Sequence, residues 1–401
     1  MFIALLLVVT AIGVGSRWGL GSETGPPHAP STWRPSPNRF PLGTMMQGAR
    51  TDFAMRLYTG RHPSQSPAWV QRLPGYLGYL AEALHYRTES ARLLRGWRKQ
   101  VEVRLPSCVK IESLSVGWHP SPHGAYLELK AWVDASEAGT WNDALVFAAR
   151  DSSGGTNRLV VPFELRVVAP GAHETVRRVL VWSTPYGAQA TDDGSEFAMI
   201  GRMTTGLAER RVQVDYLRKR PKRFKDYDLV MVTEEALVEL STGQVDLLRR
   251  YLEEGGHLVL AGDVFFSGSA IGANLLSEGL GLRFETQQER LIPADLVIGK
   301  DPITEGVRSL RFGRHVPVYA IPGTGVSGAR ELVTEPGSPG GVVAVSRASG
   351  RGELRALGRS LWWLDSAGST DDMERLLTNL LTPPIVDPEP KVARPSPEME
   401  R

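Results

Sequence analysis

Asp228-Leu229-Val230-Met231-Val232, then Ser241-Thr242-Gly243-Gln244, then Gly255-Gly256-His257-Leu258-Val259-Leu260-Ala261 make up the stretch whose reading decides the fold. Two short apolar runs flank a segment, residues 245–253, whose apolar positions have helical spacing. The Ser241 hydroxyl suits a helix start, and the Gln244 amide three residues on can bond back to it. Gly255 and Gly256 end the helix. Strand, helix, strand in that order requires a crossover, which makes the two strands parallel and covers them on both faces. Upstream, Val179-Leu180-Val181-Trp182 reads as an earlier strand. A polar loop over 183–195 and an apolar-periodic segment over 197–207 follow it.

Over residues 109–168 the period changes to two. Leu127, Leu129, Ala131 and Val133 alternate with Tyr126, Glu128, Lys130 and Trp132, and Leu159, Val161, Phe163, Leu165 and Val167 repeat the pattern against Glu164 and Arg166. These are half-buried antiparallel strands broken by turn clusters at 120–124 and 151–155. The fold class expected is therefore α/β: a flavodoxin-like, amidotransferase-like parallel sheet over 171–384, preceded by a small antiparallel β-sandwich-like module over 106–170 and an N-terminal helical segment over 67–105. In that segment Leu77, Leu80, Ala81 and Leu84 have helical spacing, while Arg87, Arg92, Arg95, Arg98 and Lys99 form a basic face. Packing on the next domain with the charges in water is favoured over a membrane-surface helix. Residues 21–66, with Pro26, Pro27, Pro30, Pro35, Pro37 and Pro41, read as a Pro-rich linker and irregular segment. Residues 2–14 are an apolar run shorter than the roughly 20 residues of a full membrane span. With Gly13-Val14-Gly15 before Ser16 as a cleavage-type sequence, residues 1–20 read as an export signal or signal-anchor. The tail, 385–401, is rich in proline and charge and reads as disordered.

Composition excludes several classes. With 46 basic and 44 acidic side chains the formal charge is +2, which is no nucleic-acid signature. A single cysteine, Cys108, excludes an internal disulfide and any multi-cysteine metal site. The densest charge run is Arg218-Lys219-Arg220-Pro221-Lys222-Arg223-Phe224-Lys225. It reads as a solvated loop whose cations guard an edge strand, in preference to a site for anionic surfaces.

The order of these elements resembles the class I glutamine amidotransferase-like superfamily over about 175–381. The similarity is carried by the 179–181 strand, Asp226-Tyr227-Asp228-Leu229-Val230, the helix over 240–251 and Glu254-Gly255-Gly256-His257-Leu258-Val259-Leu260. In particular it is similar to the branch found in exported or membrane-anchored bacterial proteins and in accessory parts of gliding-type ABC transporters. Gly350-Arg351-Gly352, Ser366-Ala367-Gly368 and Glu374-Arg375-Leu376-Leu377-Thr378-Asn379-Leu380-Leu381 match that branch's closing strand and helix. The resemblance implies a nucleophilic cysteine at the elbow after the Gly-Gly strand, where a helix N-terminus lowers its pKa. Here that strand ends Leu260-Ala261-Gly262-Asp263-Val264, without a thiol, and after His257 only His315 remains, with no carboxylate two residues on. Cys108 lies in the β-rich module, where a buried structural role is expected.

Ligands of open α/β sheets bind outside the carboxyl ends of the strands. That edge would collect Thr184, Tyr186, Asp192 and Asp193 from the first loop, Thr233 and Glu234 from the second, and Asp263, Ser267 and Ser269 from the third. Four of these are carboxylates of the kind that hold hard cations. Solvated and helix-capping roles, with Ser195 and Asp263 as caps, are favoured over a metal. No catalytic residue, metal or cofactor is assigned. The function expected is that of a non-catalytic cell-envelope protein, exported and either periplasmic or anchored to the inner membrane. It would bind an envelope protein partner or a small ligand, and no nucleic acid. One alternative is a metal-assisted hydrolase at the same sheet edge. Another is an oligomerisation domain, as resembling domains in some glycosidases are.

Overall fold

The computed structural model describes residues 34–36, 38–58, 81, 101–119, 124–150, 156–172, 175–183, 195–221, 223–262, 269–286, 295–311, 318–320, 329–337, 342–349, 351–358 and 370–384. It is a mixed α/β protein in which sheets predominate. The described residues fall into two compact units: Met1–Val176, Val181–Pro221 and Glu234–Glu239 contribute to the first, and Arg177–Leu180, Lys222–Thr233 and Leu240–Arg401 to the second. Among the described residues no helix is long and apolar enough to cross a membrane.

The first unit contains strands β1 (Arg34–Ser36), β2 (Phe40–Met46), β3 (Arg50–Tyr58), β4 (Val101–Arg104), β5 (Val109–His119), β6 (Gly124–Asp134), β7 (Gly139–Arg150) and β8 (Thr156–Val168). The end of β9 (Arg177–Trp182), helix α1 (Ser195–Glu209), β10 (Val212–Leu217) and the short α2 (Glu234–Val238) complete it. One sheet runs β2-β8-β7-β4; in the other, β5, β6 and β3 are consecutive, and both β1 and β10 pair with β3. The two-residue period places Phe53, Met55 and Leu57 of β3 on the same face as Leu127 and Leu129 of β6, all buried. Phe40 of the first sheet meets Phe53 of the second at 4.8 Å between ring centroids, so the two inner faces form a sandwich core.

This corrects the expectation for 21–66: β1, β2 and β3 all lie inside the stretch read as linker. Proline is tolerated there because β2 is an edge among the described strands, pairing with β8, and at an edge a missing N–H costs no ladder bond on the open side. The register shift between Pro41 and Thr44 is the accompanying irregularity. The expectation for 67–105 is corrected at its end, where Val101–Arg104 is a strand paired with β7. Ala81, fully buried, is helical, and the rest of that segment lies outside the described residues, as do 1–20 and the tail 385–401.

The second unit opens with the first four residues of β9, followed by β11 (Leu229–Val232), α3 (Thr242–Glu253), β12 (His257–Ala261), α4 (Ser269–Ser277) and β13 (Leu282–Phe284). Next come β14 (Val297–Ile298), β15 (Val318–Ala320), β16 (Ala329–Thr334), β17 (Val342–Ser349), β18 (Gly352–Leu357) and α5 (Thr370–Leu380). Strands β11, β12 and β18 are mutually parallel neighbours, and β17 runs antiparallel to β18. Every residue of β11 and β12 is buried, which is why both read as unbroken apolar runs. The Ser241 N–H donates to Gln244 Oε1 at 2.7 Å, fixing the start of α3. Val245, Leu248, Tyr251 and Leu252 form its buried face. At its end Gly255 takes φ +105°, and a Cβ on Gly256 would stand 2.3 Å from the Tyr251 ring, so both glycines are required where the chain turns into β12.

Candidate functional site

Of the residues expected at the carboxyl ends of the strands, Thr184, Tyr186, Asp192, Asp193, Asp263 and Ser267 lie outside the described residues. Glu234 opens α2 two residues past the end of β11, and Ser269 opens α4 eight residues past the end of β12; the side chains of both lie outside the described residues. The strand ends themselves are described, that of β9 in the first unit and those of β11 and β12 in the second. Ser183, just past β9, is buried, and its N–H donates to Leu217 O at the end of β10 (2.9 Å). Thr233, just past β11, is fully buried. Gly262, just past β12, donates to Leu357 O at 3.0 Å. A Cβ there would lie 2.8 Å from the Phe284 ring, so glycine is needed for the chain to pass beneath it. Asn274 of α4 holds Phe284 in place, accepting from its N–H at 2.7 Å and donating to its carbonyl at 3.0 Å.

Within the first unit the end of β10 carries a charged cluster. The Arg50 N–H donates to Asp215 Oδ1 (2.9 Å), and its Nε donates to Asp52 Oδ1 (2.7 Å). The backbone N–H of Arg218 donates to the other oxygen of Asp52 at 3.3 Å. The Arg50 guanidinium lies 4.7 Å over the Trp132 ring, a favourable cation–π arrangement. Asp52, Asp215 and Arg218 are each under a tenth exposed.

The basic run is thereby corrected on two points. Strand β10 is no edge strand, since it lies between β9 and β3. Nor is the run uniformly solvated: Arg220, Arg223 and Lys225 are exposed, and exposed Lys219 pairs with Glu112, but Arg218 is buried. Its signal in the sequence was position, since it directly follows the last apolar residue of a strand.

The chain's one thiol belongs to the sandwich unit. Cys108 precedes β5, is 5 % exposed, and its carbonyl accepts from the N–H of Asp134 at 2.8 Å. Burial pushes the thiol up to about 11, the reverse of what a nucleophile needs. The second unit holds a histidine beside a carboxylate that the sequence did not announce, because the two are 96 positions apart: His257 and Glu353 are register partners at the amino ends of β12 and β18. Nδ1 of His257 stands 3.9 Å from Glu353 Oε2 and makes no hydrogen bond. Glu353 is committed elsewhere, to Arg355 (2.7 and 2.9 Å), Arg330 (2.6 Å) and the Ser346 hydroxyl. Burial alone would raise its pKa, but Arg355, Ser346 and Arg330 outweigh that and hold it below the usual carboxylate range. His257 is pushed below its ordinary value, first by burial and then by the Arg355 charge, against the opposing pull of Glu353 and Asp228. This is an ion network at the amino ends of β12 and β18, opposite to the edge where ligand-binding residues were expected. Among the described residues no three of His, Cys, Asp and Glu gather closely enough to hold a metal ion.

No protein-family model matches the sequence, and neither does any curated protein. Several solved structures are similar in part. An exo-β-1,4-mannosidase from an Opitutaceae bacterium is 14 % identical over 52 % of this chain and 37 % of its own, with a TM-score of 0.34. A β-galactosidase from Bacillus circulans is 14 % identical over 51 % of this chain and 30 % of its own, with a TM-score of 0.31. A ThuA-like protein from Bacteroides uniformis is 13 % identical over 53 % of this chain and 93 % of its own, with a TM-score of 0.35. The chain thus spans 37 % and 30 % of the length of the two glycosidases.

Proposed function

We propose that this chain is a non-catalytic envelope protein whose amidotransferase-like α/β domain binds a partner or a small ligand at the carboxyl ends of its parallel strands. The observation that carries the reading is the placement of the only thiol. Cys108 is buried in the sandwich unit with its pKa pushed up to about 11. The residues described at the end of β12, Ala261 and Gly262, carry no nucleophile, so the thiol route of glutamine hydrolysis has nothing to start from.

The order of strands supports a flavodoxin-like arrangement of this domain. Within the second unit β11, β12 and β18 are parallel neighbours taken in chain order, with α3 in the crossover between the first two. The apolar run over 2–14 supports export or anchoring of the chain.

The test has two arms on the purified full chain. Ammonia release from glutamine is expected to stay at the buffer rate, in the wild type and in Cys108→Ala alike; release that disappears in Cys108→Ala would overturn the non-catalytic reading. Crosslinking pull-down from envelope extracts is expected to recover a specific partner, and recovery of nothing above a denatured control would remove the protein-binding half of the proposal.

A further inference from the structure

We infer that Arg218 is the anchor of a carboxylate-binding site at the end of β10. The inference rests on the binding reading above and names the chemistry of the ligand. Arg218 is 8 % exposed, and two of its guanidinium nitrogens, Nε and Nη2, are shut off from solvent without a hydrogen-bond partner. Those two are not an arbitrary pair. In a planar guanidinium the N–H of Nε and one N–H of Nη2 point the same way, about as far apart as the two oxygens of a carboxylate, so together they form a bidentate fork.

A buried guanidinium without an acceptor is costly, and arginine does not escape the cost by losing its proton. The carboxylates beside it are already engaged. Asp52 spends one oxygen on Arg50 Nε and the other on the backbone N–H of Arg218 itself. Asp215 Oδ1 takes the Arg50 N–H at 2.9 Å and the Gln213 amide at 3.5 Å. Asp52 and Arg50 therefore fix the backbone at 218 and leave the fork for something else. Its position is that of a ligand site: it follows the last residue of β10, whose carbonyl is bonded to Ser183 just past the end of β9. Between the two oxyanions that match such a fork, the neighbouring Asp52 and Asp215 decide. Two carboxylates repel a phosphate dianion more than a singly charged carboxylate, so the fork takes a carboxylate, as a free small acid or as the acidic group of a peptide.

The full chain is titrated with acetate, succinate and inorganic phosphate at constant ionic strength against chloride, following Tm. The carboxylates are expected to give a saturable rise of roughly 5 °C at a hundredfold excess over Kd, with phosphate giving less. Arg218→Gln is expected to abolish the rise, and Arg218→Lys, which keeps the charge but not the fork, to lose most of it. An equal rise in Arg218→Gln places the anion elsewhere and overturns the inference. So does a preference for phosphate, or a wild type whose Tm responds to none of the carboxylates. Recovery of the same envelope partner by Arg218→Gln would leave the binding reading standing while this site falls; loss of the partner in wild type with the carboxylate response intact would do the opposite.

Discussion

Gly43 of β2 and Gly201 of α1 stand so close that neither has room for a side chain. A Cβ on Gly43 would lie 2.2 Å from the Gly201 carbonyl oxygen, and one on Gly201 would lie 2.2 Å from that of Pro41. The approach lets a hydroxyl bond across it: Thr44 N–H donates to Thr205 Oγ1 at 2.8 Å, while the Thr204 hydroxyl, 2.9 Å from Ile200 O in its own helix, also comes within 3.2 Å of Leu42 O. The free edge of β2 is thus closed by a helix. Gly201→Ala should cost about 3 kcal/mol, since the atoms met are backbone and cannot swing aside. Gly43→Ala should cost more, because φ is +65° there as well. Urea midpoints at unchanged m give both values. A loss below about 1 kcal/mol for Gly201→Ala would mean the helix can lift off β2 freely.

Arg355 ties β18 to the end of α5. It is 3 % exposed, and its Nη1 donates to the carbonyls of Asn379 (3.4 Å), Leu380 and Thr382 (3.2 Å), which a helix C-terminus otherwise leaves unpaired. Its Nε and Nη2 hold Glu353. Arg355→Met should cost about 3 kcal/mol, because it leaves Glu353 with only Arg330 and Ser346 as partners and takes the donor away from the carbonyls at the end of α5. Arg355→Lys should recover only part of this, since one ammonium cannot reach both partners. In a double-mutant cycle with Glu353→Gln the two losses should fall short of additivity by more than about 1 kcal/mol, and additive losses would show that the pair is not coupled.

The second unit was legible in the sequence where local signals and burial agree. His257 to Ala261 is buried throughout, so its five-residue run needed no alternation to be read as a central strand. Ser241 and Gln244 marked the start of α3 because their bond is local. The strands between 34 and 58 were hidden by proline, which is read as a break until it is known that β2 is an edge. The clue was the alternation Thr51, Phe53, Met55, Leu57 against Asp52 and Arg56 in β3. Arg218 was illegible for a different reason. A run of cations looks uniform in one dimension, and only the end of a strand distinguishes the member that turns inward from Lys219 and Arg220 beside it. The pairing of His257 with Glu353 exists only in the register of β12 with β18.

That pairing has a pH signature. His257 has a depressed pKa in the folded state, so the native protein keeps it neutral while the unfolded chain takes up a proton as pH falls below the ordinary 6.5. The unfolded state then binds more protons. The stability that depends on neutral His257 is whole above pH 6.5 and is lost as pH falls through the depressed value. Glu353, also depressed, loses its contribution in a lower window, below its ordinary 4.5. His257→Gln should flatten the upper part of the stability profile and leave the lower part in place. An unchanged slope just below pH 6.5 would show that protonating His257 costs the fold nothing.

Cys108 provides a test whose sign separates a structural from a catalytic thiol. A nucleophilic cysteine reacts faster in the folded protein than in the unfolded chain, because the site lowers its pKa. Burial does the reverse here, moving it from 9.0 to about 11. At pH 8 the thiolate population should therefore drop about a hundredfold on folding, before any steric shielding is counted. Labelling by a disulfide reagent should be at least that much slower in the native protein than in urea. Folded-state labelling as fast as that of the unfolded chain would mean that the thiol is neither buried nor suppressed and is available for thiol chemistry. Cys108→Ala should slightly loosen the sandwich, by about 1 kcal/mol for one small buried group, without changing anything the protein binds.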